Sequence, residues 1–230
     1  MKIGVLLPAF NEEKNIQIVI REVKKYIPDS KIVVVDDGST DMTNELAKQT
    51  GVMVLRHEVN RGKGNTLNTG FKYFLKKQPE IDVVIIADAD RQYPIDEIVK
   101  ILEPLKKEEA DFVMGYRNWR KVPYANAMGN FIWRILFNFF FKTNLKDTNC
   151  GYIGLTRETI KKIGKVYGGY IIENAMLRDA LKNGIRIKQV PVIVKYKKGN
   201  MSNLSHFSRM FFGILYFIIV EGINYRLGKI

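Results

Sequence analysis

Acidic side chains follow three of the short apolar segments in the first half of the chain. The five at these positions are Glu12, Asp36, Asp37, Asp88 and Asp90. If the apolar segments are strands of one parallel sheet, the residues after them lie in the crevice where such sheets bind ligands. Clustered carboxylates repel one another, so we expect a cation or hydrogen-bond donors among them.

The triplet Asp88-Ala89-Asp90 indicates a metal site. Residues two apart at the end of a strand point to the same side, so both carboxylates can face one ligand. With the amide oxygen of Gln92 they suit a hard divalent ion, Mg²⁺ or Mn²⁺, that keeps open positions for phosphate oxygens. Such an ion would neutralise a departing diphosphate. The alternative interpretation is a solvated turn with incidental acids.

The segment Asp36-Asp37-Gly38-Ser39-Thr40-Asp41 has two interpretations that can hold together. In one, Ser39 or Thr40 caps the next helix and Gly38 supplies the turn. In the other, an aspartate at the end of the strand accepts a hydrogen bond from a base or a ribose.

A basic, glycine-containing loop, Asn60-Arg61-Gly62-Lys63-Gly64-Asn65, leads into a predicted helix. It offers backbone N–H groups and the Lys63 cation to phosphates. The loop lacks the spacing of a Walker A motif and of the Gly-x-Gly-x-x-Gly fingerprint. A nucleoside triphosphatase or a dehydrogenase is therefore poorly supported.

Short apolar runs alternate with amphipathic stretches through the first half of the chain. The runs predicted as strands are Ile3–Leu7, Ile32–Val35, Val52–Leu55, Val83–Ala87 and Phe112–Met114. The stretches predicted as helices are Glu12–Tyr26, Thr40–Thr50, Thr66–Lys77 and Ile95–Lys107. This alternation implies right-handed crossovers and a largely parallel sheet in one α/β domain.

The second half of the chain is more apolar. Between Asn126 and Lys142 a polar residue recurs every fourth position among apolar ones, which predicts a helix with a wide apolar face. A helix near Ile172–Lys182, a strand near Ile187–Val194 and an apolar segment from Phe207 to Tyr225 follow. The wide face and the last segment suit a membrane interface, or burial in the core or between two protomers.

The composition is strongly basic. Lys and Arg number 37 against 24 Asp and Glu, a formal net charge of +13, which favours nucleic acid, an anionic membrane or phosphorylated substrates. The basic residues are scattered over the predicted helices, which disfavours nucleic acid. The only cysteine, Cys150, excludes an intrachain disulfide and suits a reducing compartment. The longest apolar run, Met210 to Val220, is shorter than the roughly 20 residues of a membrane span.

Six ordered blocks carry a resemblance to a known family. They are Leu7-Pro8-Ala9-Phe10-Asn11-Glu12-Glu13, Val35-Asp36-Asp37-Gly38-Ser39-Thr40-Asp41, Asn60-Arg61-Gly62-Lys63-Gly64, Asp88-Ala89-Asp90-Arg91-Gln92-Tyr93-Pro94, Gly115-Tyr116-Arg117 and Asp147-Thr148-Asn149-Cys150-Gly151-Tyr152. Together they resemble glycosyltransferase family 2, in the branch of dolichyl-phosphate mannose synthase and dolichyl-phosphate glucosyltransferase. The resemblance runs from Ile3 to about Ser205 and implies a GT-A fold.

The resemblance implies a site for a UDP- or GDP-linked sugar. Including the basic loop, the predicted site comprises Pro8, Phe10, Glu12, Asp36, Asp37, Lys63, Asp88, Ala89, Asp90, Lys197 and Lys198. Pro8, Phe10 and Glu12 would line the nucleotide pocket. Asp37 or Asp36 would contact the base or the ribose. The two lysines at the end of the list fall where relatives carry a basic residue on a mobile loop.

The resemblance also implies the metal ligands and the catalytic residues. Asp88, Asp90 and Gln92 would gather Mg²⁺ or Mn²⁺ and the donor diphosphate. Asp90, Glu173 and Arg117 form the predicted catalytic set, in which Glu173 matches the base of many relatives and Arg117 would meet an acceptor phosphate.

Two positions depart from the family pattern. Arg91 stands where relatives often have Leu or Gly, which places a cation beside the metal-binding acids. The segment Pro123-Tyr124-Ala125-Asn126 lacks the Arg or Lys expected for acceptor binding. The acceptor is therefore less firmly indicated than the donor.

Family members generally invert the anomeric centre, so we expect a hexose or N-acetylhexosamine to be transferred in a single displacement. The expected acceptor is a polyprenyl (dolichyl) phosphate at the cytoplasmic face of an anionic membrane, where the protein would be peripherally bound. The alternatives are a soluble sugar, glycan or polyol acceptor, and a basic nucleic-acid- or anion-binding protein. Residues 1–205 are predicted as the catalytic domain, and 206–230 as an apolar helix that contacts the membrane or a second protomer.

Overall fold

The computed structural model describes residues 1–118, 124–195 and 204–229, except for the side chains of residues 124–127, 204–207 and 209. The strands of its central sheet are β1 (Ile3–Ala9), β2 (Lys31–Asp36), β3 (Met53–Arg56), β4 (Val83–Ile86), β5 (Phe112–Arg117), β6 (Ile153–Thr156) and β7 (Ile187–Val192). They lie in the order β3-β2-β1-β4-β6-β5-β7. All run in one direction except β6, which is antiparallel to both of its neighbours. The predicted mainly parallel sheet is confirmed.

Helices connect the strands and follow them. They are α1 (Ile16–Tyr26), α2 (Thr43–Gln49), α3 (Lys63–Lys77), α4 (Ile98–Lys106), α5 (Tyr124–Phe141), α6 (Arg157–Ile163), α7 (Ile172–Lys182) and α8 (Leu204–Arg226). Short 3-10 turns at Ile95–Glu97 and Gly169–Ile171 precede α4 and α7. The helices cover the sheet, which explains why β1, β2 and β4 are buried almost throughout.

The sequence pattern does not predict β6 and α6. β6 has only four residues and contains Gly154, so its apolar pattern is too short to distinguish a strand from a loop. The start of α3 also differs from the prediction, because the helix begins at Lys63 and not at Thr66. Gly62 before it has a φ of +82°, a conformation that glycine adopts readily and that turns the basic loop into the helix.

Two glycines allow α3 to approach β1 closely. A Cβ atom at Gly70 would lie 2.3 Å from Leu6 Cδ1, and a Cβ atom at Gly4 would lie 2.5 Å from a ring carbon of Phe74. A side chain at either position would have to displace the buried Leu6 or Phe74 side chain, or push helix and strand apart. This contact fixes Lys63, at the start of α3, relative to the ends of the strands.

α5 and α8 lie side by side and run in the same direction. The ring of Trp133 packs on Phe211 with centroids 5.6 Å apart, and further along both helices Phe141 packs on Tyr225 at 5.1 Å. At Gly222 the helices are so close that a Cβ atom would lie 2.4 Å from the Cβ of Phe140. Within the described ranges, no helix is both long and apolar enough to cross a bilayer.

Each helix of this pair carries an exposed apolar stripe. The stripes consist of Met128, Phe131, Ile135 and Phe139 on α5, and of Phe212, Tyr216, Ile223 and Leu227 on and just after α8. The opposite side of α5 is buried through Trp133, Phe137 and Phe141. The wide apolar face predicted from the sequence is therefore partly core and partly surface.

Candidate active site

The carboxyl ends of β1 and β4 and the loop before α3 enclose a cleft of about 370 Å³. Its lining residues are Pro8, Ala9, Phe10, Glu12, Asp37, Asn60, Gly62, Lys63, Thr66, Asp88, Ala89 and Asp90. The described residues predicted for the nucleotide sugar all belong to this lining, except Asp36. Lys197 and Lys198 lie outside the described residues.

Asp36 joins two strands at a distance from the cleft. Its side chain is fully buried, its Oδ2 lies 3.3 Å from Arg56 Nε, and its Oδ1 accepts a hydrogen bond from Ser39 N at 3.1 Å. Because Arg56 is the last residue of β3, this ion pair ties the ends of β2 and β3 together.

Asp37 holds the basic loop in place. Its Oδ1 accepts a hydrogen bond from Arg61 N at 3.0 Å, and its Oδ2 accepts one from Gly62 N at 2.8 Å. The same carboxylate lies 2.7 Å from His57 Nδ1, and His57 Nε2 lies 2.8 Å from Thr69 Oγ1 on α3. Asp37 therefore positions Lys63 as well as lining the cleft.

The prediction that Ser39 or Thr40 caps the next helix is wrong. The N-cap of α2 is Met42, which makes no side-chain capping bond. Ser39 Oγ accepts instead from Asn11 N at 2.9 Å, and Thr40 N donates to Asn11 Oδ1 at 2.9 Å. These side chains tie together the loops after β1 and β2, which both border the cleft.

Lys63 is the cation expected among the clustered carboxylates. Its Nζ lies 2.8 and 2.9 Å from the two oxygens of Asp88 and 3.7 Å from Glu173 Oε1. Burial lowers the pKa of Lys63, but the Asp88 and Glu173 carboxylates raise it by more, so the pKa lies above its ordinary value. A Cβ atom at Gly151 would lie 2.9 Å from this Nζ, so a larger residue there would have to shift the ammonium.

Asp88 and Asp90 both line the cleft, as expected of residues two apart at a strand end. Asp90 Oδ1 accepts a hydrogen bond from Gln92 N at 2.9 Å, and Gln92 O accepts one from Lys195 N at 2.8 Å. Across the described ranges, no group of three or more His, Cys, Asp or Glu side chains is placed to hold a metal ion. Mg²⁺ commonly uses one or two carboxylates and takes its other ligands from substrate phosphates and water. The donor set fits an ion that binds together with a diphosphate.

A second cavity, of about 680 Å³, adjoins the cleft at Gly62 and Lys63, which line both. Its other lining residues are Arg117, Gly129, Asn130, Trp133, Asn149, Gly169, Tyr170, Ile172, Glu173, Met210 and Ile214. The predicted catalytic residues are thus divided between two compartments, with Asp90 in the cleft and Arg117 and Glu173 in the second cavity.

Arg117 is held at the wall of the second cavity by a bidentate ion pair with Asp147. Its Nε and Nη2 lie 2.7 and 2.8 Å from the oxygens of Asp147, and Nη2 also donates to Asn130 Oδ1 at 3.1 Å. Burial lowers the pKa of Arg117, whereas the Asp147 carboxylate raises it by more, so the guanidinium stays charged. Asp147 itself is fully buried.

The sequence did not place Asp147, Asn130 or Trp133 at the site; Trp133 was expected at a membrane interface, but it is buried and lines the second cavity. Asp147 lies inside one of the six family blocks, but its partner Arg117 is 30 positions away, beyond the range of any local pattern. Only the fold brings β5, α5 and the segment before β6 together.

The fold and the paired compartments define a nucleotide-sugar transferase of the GT-A class. Residues 4–164 match the model of glycosyl transferase family 2, and the chain belongs to that family. The family and the fold predicted from the six blocks are therefore confirmed.

Curated relatives cover most of the chain. An uncharacterized protein of Methanocaldococcus jannaschii is 36% identical over 210 residues, covering 87% of this chain and 84% of the relative. The UDP-N-acetylglucosamine–dolichyl-phosphate N-acetylglucosaminyltransferase of Methanococcus voltae is 27% identical over 230 residues, covering 87% and 88%. The polyprenol monophosphomannose synthase of Mycolicibacterium smegmatis is 26% identical over 219 residues, covering 87% and 80%.

A solved structure shares the fold. Glucosyl-3-phosphoglycerate synthase from Mycobacterium tuberculosis, in complex with Mn²⁺, UDP and phosphoglyceric acid, superposes with a TM-score of 0.77 at 22% identity. The match covers 96% of this chain and 78% of that protein.

Proposed function

We propose that the protein transfers a sugar from a UDP- or GDP-linked donor, bound in the cleft with Mg²⁺ or Mn²⁺, to a polyprenyl phosphate in the second cavity. The observation that carries this proposal is that the cleft and the second cavity meet at Lys63, although their linings differ in chemistry. The cleft presents Asp88 and Asp90 to a metal and a diphosphate. The second cavity combines Arg117 with apolar walls.

The second cavity suits a phosphate that carries an apolar tail. Arg117 and Lys63 provide two cations, and a planar guanidinium matches the geometry of phosphate oxygens. Trp133 on α5 and Met210 and Ile214 on α8 provide apolar surface beside them. The names of the relatives that act on dolichyl phosphate and polyprenol phosphate support this acceptor.

In the proposed reaction an acceptor oxygen attacks C1 of the sugar. The new C1–O bond forms as the bond from C1 to the donor diphosphate breaks, and the anomeric centre inverts. A phosphate monoester is largely ionised at neutral pH, so this acceptor needs little help from a base. Glu173 would act as a general base for a hydroxyl acceptor.

The charge that develops on the leaving diphosphate has cations nearby. Lys63 lies at the junction, where it can contact the departing group, and Arg117 can hold the acceptor phosphate. A divalent ion held by Asp88 and Asp90, with Gln92 as a further proposed ligand, would act as a Lewis acid on the diphosphate. We assign Lys197 and Lys198 the same electrostatic role.

We further propose that the apolar stripes of α5 and α8 contact the cytoplasmic face of a membrane. The Arg134 guanidinium lies 5.4 Å from the Phe131 ring centroid, and that of Arg226 lies 5.3 Å from Phe139. Cations beside exposed aromatic rings are typical of helices that lie in an anionic headgroup region. A second protomer is the alternative occupant of this surface.

A soluble phosphorylated acceptor is the second candidate. The fold likeness to glucosyl-3-phosphoglycerate synthase, solved with phosphoglyceric acid, favours it. Arg117 and Lys63 would suit the phosphate of such an acceptor equally well. The apolar wall formed by α5 and α8 favours the lipid.

A transfer assay tests the proposal. The purified protein is incubated with labelled UDP- and GDP-sugars, with and without polyprenyl phosphate and with and without Mn²⁺. We expect label in the organic extract only when lipid and metal are both present. Transfer of label to 3-phosphoglycerate would favour the soluble candidate.

Heat-inactivated protein and polyprenol without its phosphate serve as controls. Equal transfer to polyprenol and to polyprenyl phosphate would contradict a role for Arg117 in holding a phosphate. No metal-dependent product from any donor would overturn the proposed reaction.

A further inference from the structure

We propose that Lys63 is an internal counter-ion that occupies Asp88 until a metal ion and a donor diphosphate arrive together. This inference rests on the proposed metal role of Asp88 and Asp90. It goes beyond that role because it places a displaceable cation of the chain itself in the site.

Lys63 and a metal ion compete for the same oxygens. Nζ lies 2.8 Å from one oxygen of Asp88 and 2.9 Å from the other, so a single ammonium contacts both oxygens of the carboxylate. Mg²⁺ is bound by carboxylate oxygens at about 2.0–2.1 Å. Two cations that close to one carboxylate would repel each other strongly. Binding of a metal ion to Asp88 is therefore opposed by the charge of Lys63 as long as the ammonium stays in this position.

Only the side chain of Lys63 is free to make this movement. Its backbone is the first residue of α3, and the preceding Gly62 donates its N–H to the buried Asp37 at 2.8 Å. Gly151 lies beside the ammonium, since a Cβ atom there would be 2.9 Å from Nζ. The side chain can move toward the cleft or toward Glu173.

The structure offers the ammonium two new partners. Glu173 Oε1 lies 3.7 Å away on the side of the second cavity. A diphosphate bound in the cleft would be the other, since Lys63 lines both compartments. A metal ion alone would displace the ammonium toward Glu173 or toward solvent, to which the Lys63 side chain is 31% exposed. A metal ion that arrives with a diphosphate also supplies phosphate oxygens as new partners. Metal and nucleotide should consequently bind with positive coupling.

Mn²⁺ titrations followed by the electron paramagnetic resonance of the free ion test this inference. They compare the wild type with Lys63→Met, without nucleotide and with UDP or GDP. The matched control is Lys76→Met, which removes the same charge from an exposed position on the same helix. Without nucleotide, Lys63→Met should bind Mn²⁺ at least about tenfold more tightly than the wild type, because a repelling charge is removed. Lys76→Met should match the wild type.

The Mn²⁺ titrations in the presence of UDP or GDP provide a second test. In the wild type, UDP or GDP should tighten Mn²⁺ binding, and in Lys63→Met this enhancement should shrink. Unchanged, weaker or undetectable Mn²⁺ binding by folded Lys63→Met without nucleotide would overturn the inference. Lys63→Gln, which keeps a polar end without the charge, replaces Lys63→Met if circular dichroism shows that variant unfolded. If no nucleotide binds any of the proteins, the proposed donor chemistry fails, while the nucleotide-free comparison still decides the role of Lys63.

Discussion

Asp88 and Asp90 both follow β4 but have different surroundings. Asp88 is paired with Lys63, whereas Asp90 accepts a hydrogen bond from the backbone of Gln92. Gln92 is in turn bonded to Lys195, just before the segment that carries Lys197 and Lys198. The Asp90 carboxylate is thus oriented by the strand end together with the chain after β7.

Replacing Asp90 by Ala should lower the rate of transfer by at least about 10³-fold, because loss of the metal ion removes several kcal/mol of stabilisation from the leaving diphosphate. The measurement is labelled product formed at saturating donor and Mn²⁺. Asp29→Ala is the control: it removes an exposed carboxylate before the start of β2, whereas the cleft lies at the carboxyl ends of the strands, and it should keep wild-type turnover. Wild-type turnover by Asp90→Ala would refute its assignment to the metal.

Cys150 should be inert in the native protein. The thiol is fully buried, and burial, followed by the nearby Asp147 carboxylate, raises its pKa to about 12. An ordinary thiol has a pKa of about 8.5, so at pH 8 ionisation alone should slow its reaction by about three orders of magnitude. The check is the rate of reaction with a disulfide reagent at pH 8 before and after unfolding in guanidinium chloride. Rapid labelling of the folded protein would contradict this burial.

At the scale of single residues, the sequence predicts which residues line the cleft better than it predicts their hydrogen-bond and ion-pair partners. Glu12, Asp37, Asp88 and Asp90 were expected together because the ends of parallel strands meet, and they line one cleft. The pairing of Lys63 with Asp88 was not predictable, since it depends on how closely α3 approaches the sheet. The expected caps at Ser39 and Thr40 failed because their hydrogen bonds go to the neighbouring loop.

At the scale of secondary-structure elements, a glycine allows the closest approach described between α5 and α8. Gly222 brings α8 against Phe140, and Arg226 on the next turn donates to the carbonyl oxygen of Phe140 at 2.8 Å. That guanidinium satisfies a carbonyl group at the end of α5 that has no partner within the helix. The last turns of the two helices therefore stabilise each other.

Gly222→Ala should destabilise the protein by about 1–3 kcal/mol, because a Cβ atom 2.4 Å from that of Phe140 must push the helices apart. Thermal unfolding measures the effect as a lowered Tm. Gly213→Ala is a matched control on the same helix, where a Cβ atom would meet nothing within 4 Å. Ala favours a helix over Gly, so this control should be neutral or stabilising. Equal Tm values for the two variants would contradict the close packing.

Helices and strands were predicted best where the periodic pattern of apolar residues extends over many positions. α7 was predicted at its observed bounds, Ile172–Lys182, because an amphipathic period over 11 residues is unambiguous. β6 was missed, and its antiparallel pairing with β4 and β5 is a tertiary property that a four-residue segment does not encode. The apolar period of α5 predicted a helix but not how its faces divide between core and surface.

At the scale of the whole molecule, the net charge and the apolar stripes would make different contributions to the free energy of binding to a membrane. One contribution is electrostatic and the other is apolar. The formal charge of +13 would attract the protein to anionic lipid over a distance that salt shortens. The stripes of α5 and α8 would add an apolar contribution that salt does not screen. The two terms can therefore be separated by changing salt and side chains independently.

Binding to vesicles with anionic lipid should weaken as salt rises from about 0.05 to 0.5 M, because the Debye screening length falls from ~14 to ~4 Å. Phe139→Ser with Tyr216→Ser should weaken it at every salt concentration, because these side chains are 64% and 71% exposed on the stripes. Flotation of the protein with vesicles is the measurement. Met42→Ser, an exposed apolar residue before α2, is the control. If the double variant floats with vesicles as well as the wild type, the stripes do not contact lipid. If the double variant instead loses the ability to form dimers, the stripes contact a second protomer.

The hydrogen bonds that Asp37 accepts from the basic loop have a consequence for amide hydrogen exchange. Arg61 and Gly62 belong to a loop on the rim of the cleft, yet each donates its N–H to the same carboxylate, which is 4% exposed. Their amides should exchange with solvent deuterium much more slowly than others in a surface loop. Because one carboxylate accepts both bonds, the two amides should become exposed in a single opening event and report a common protection factor.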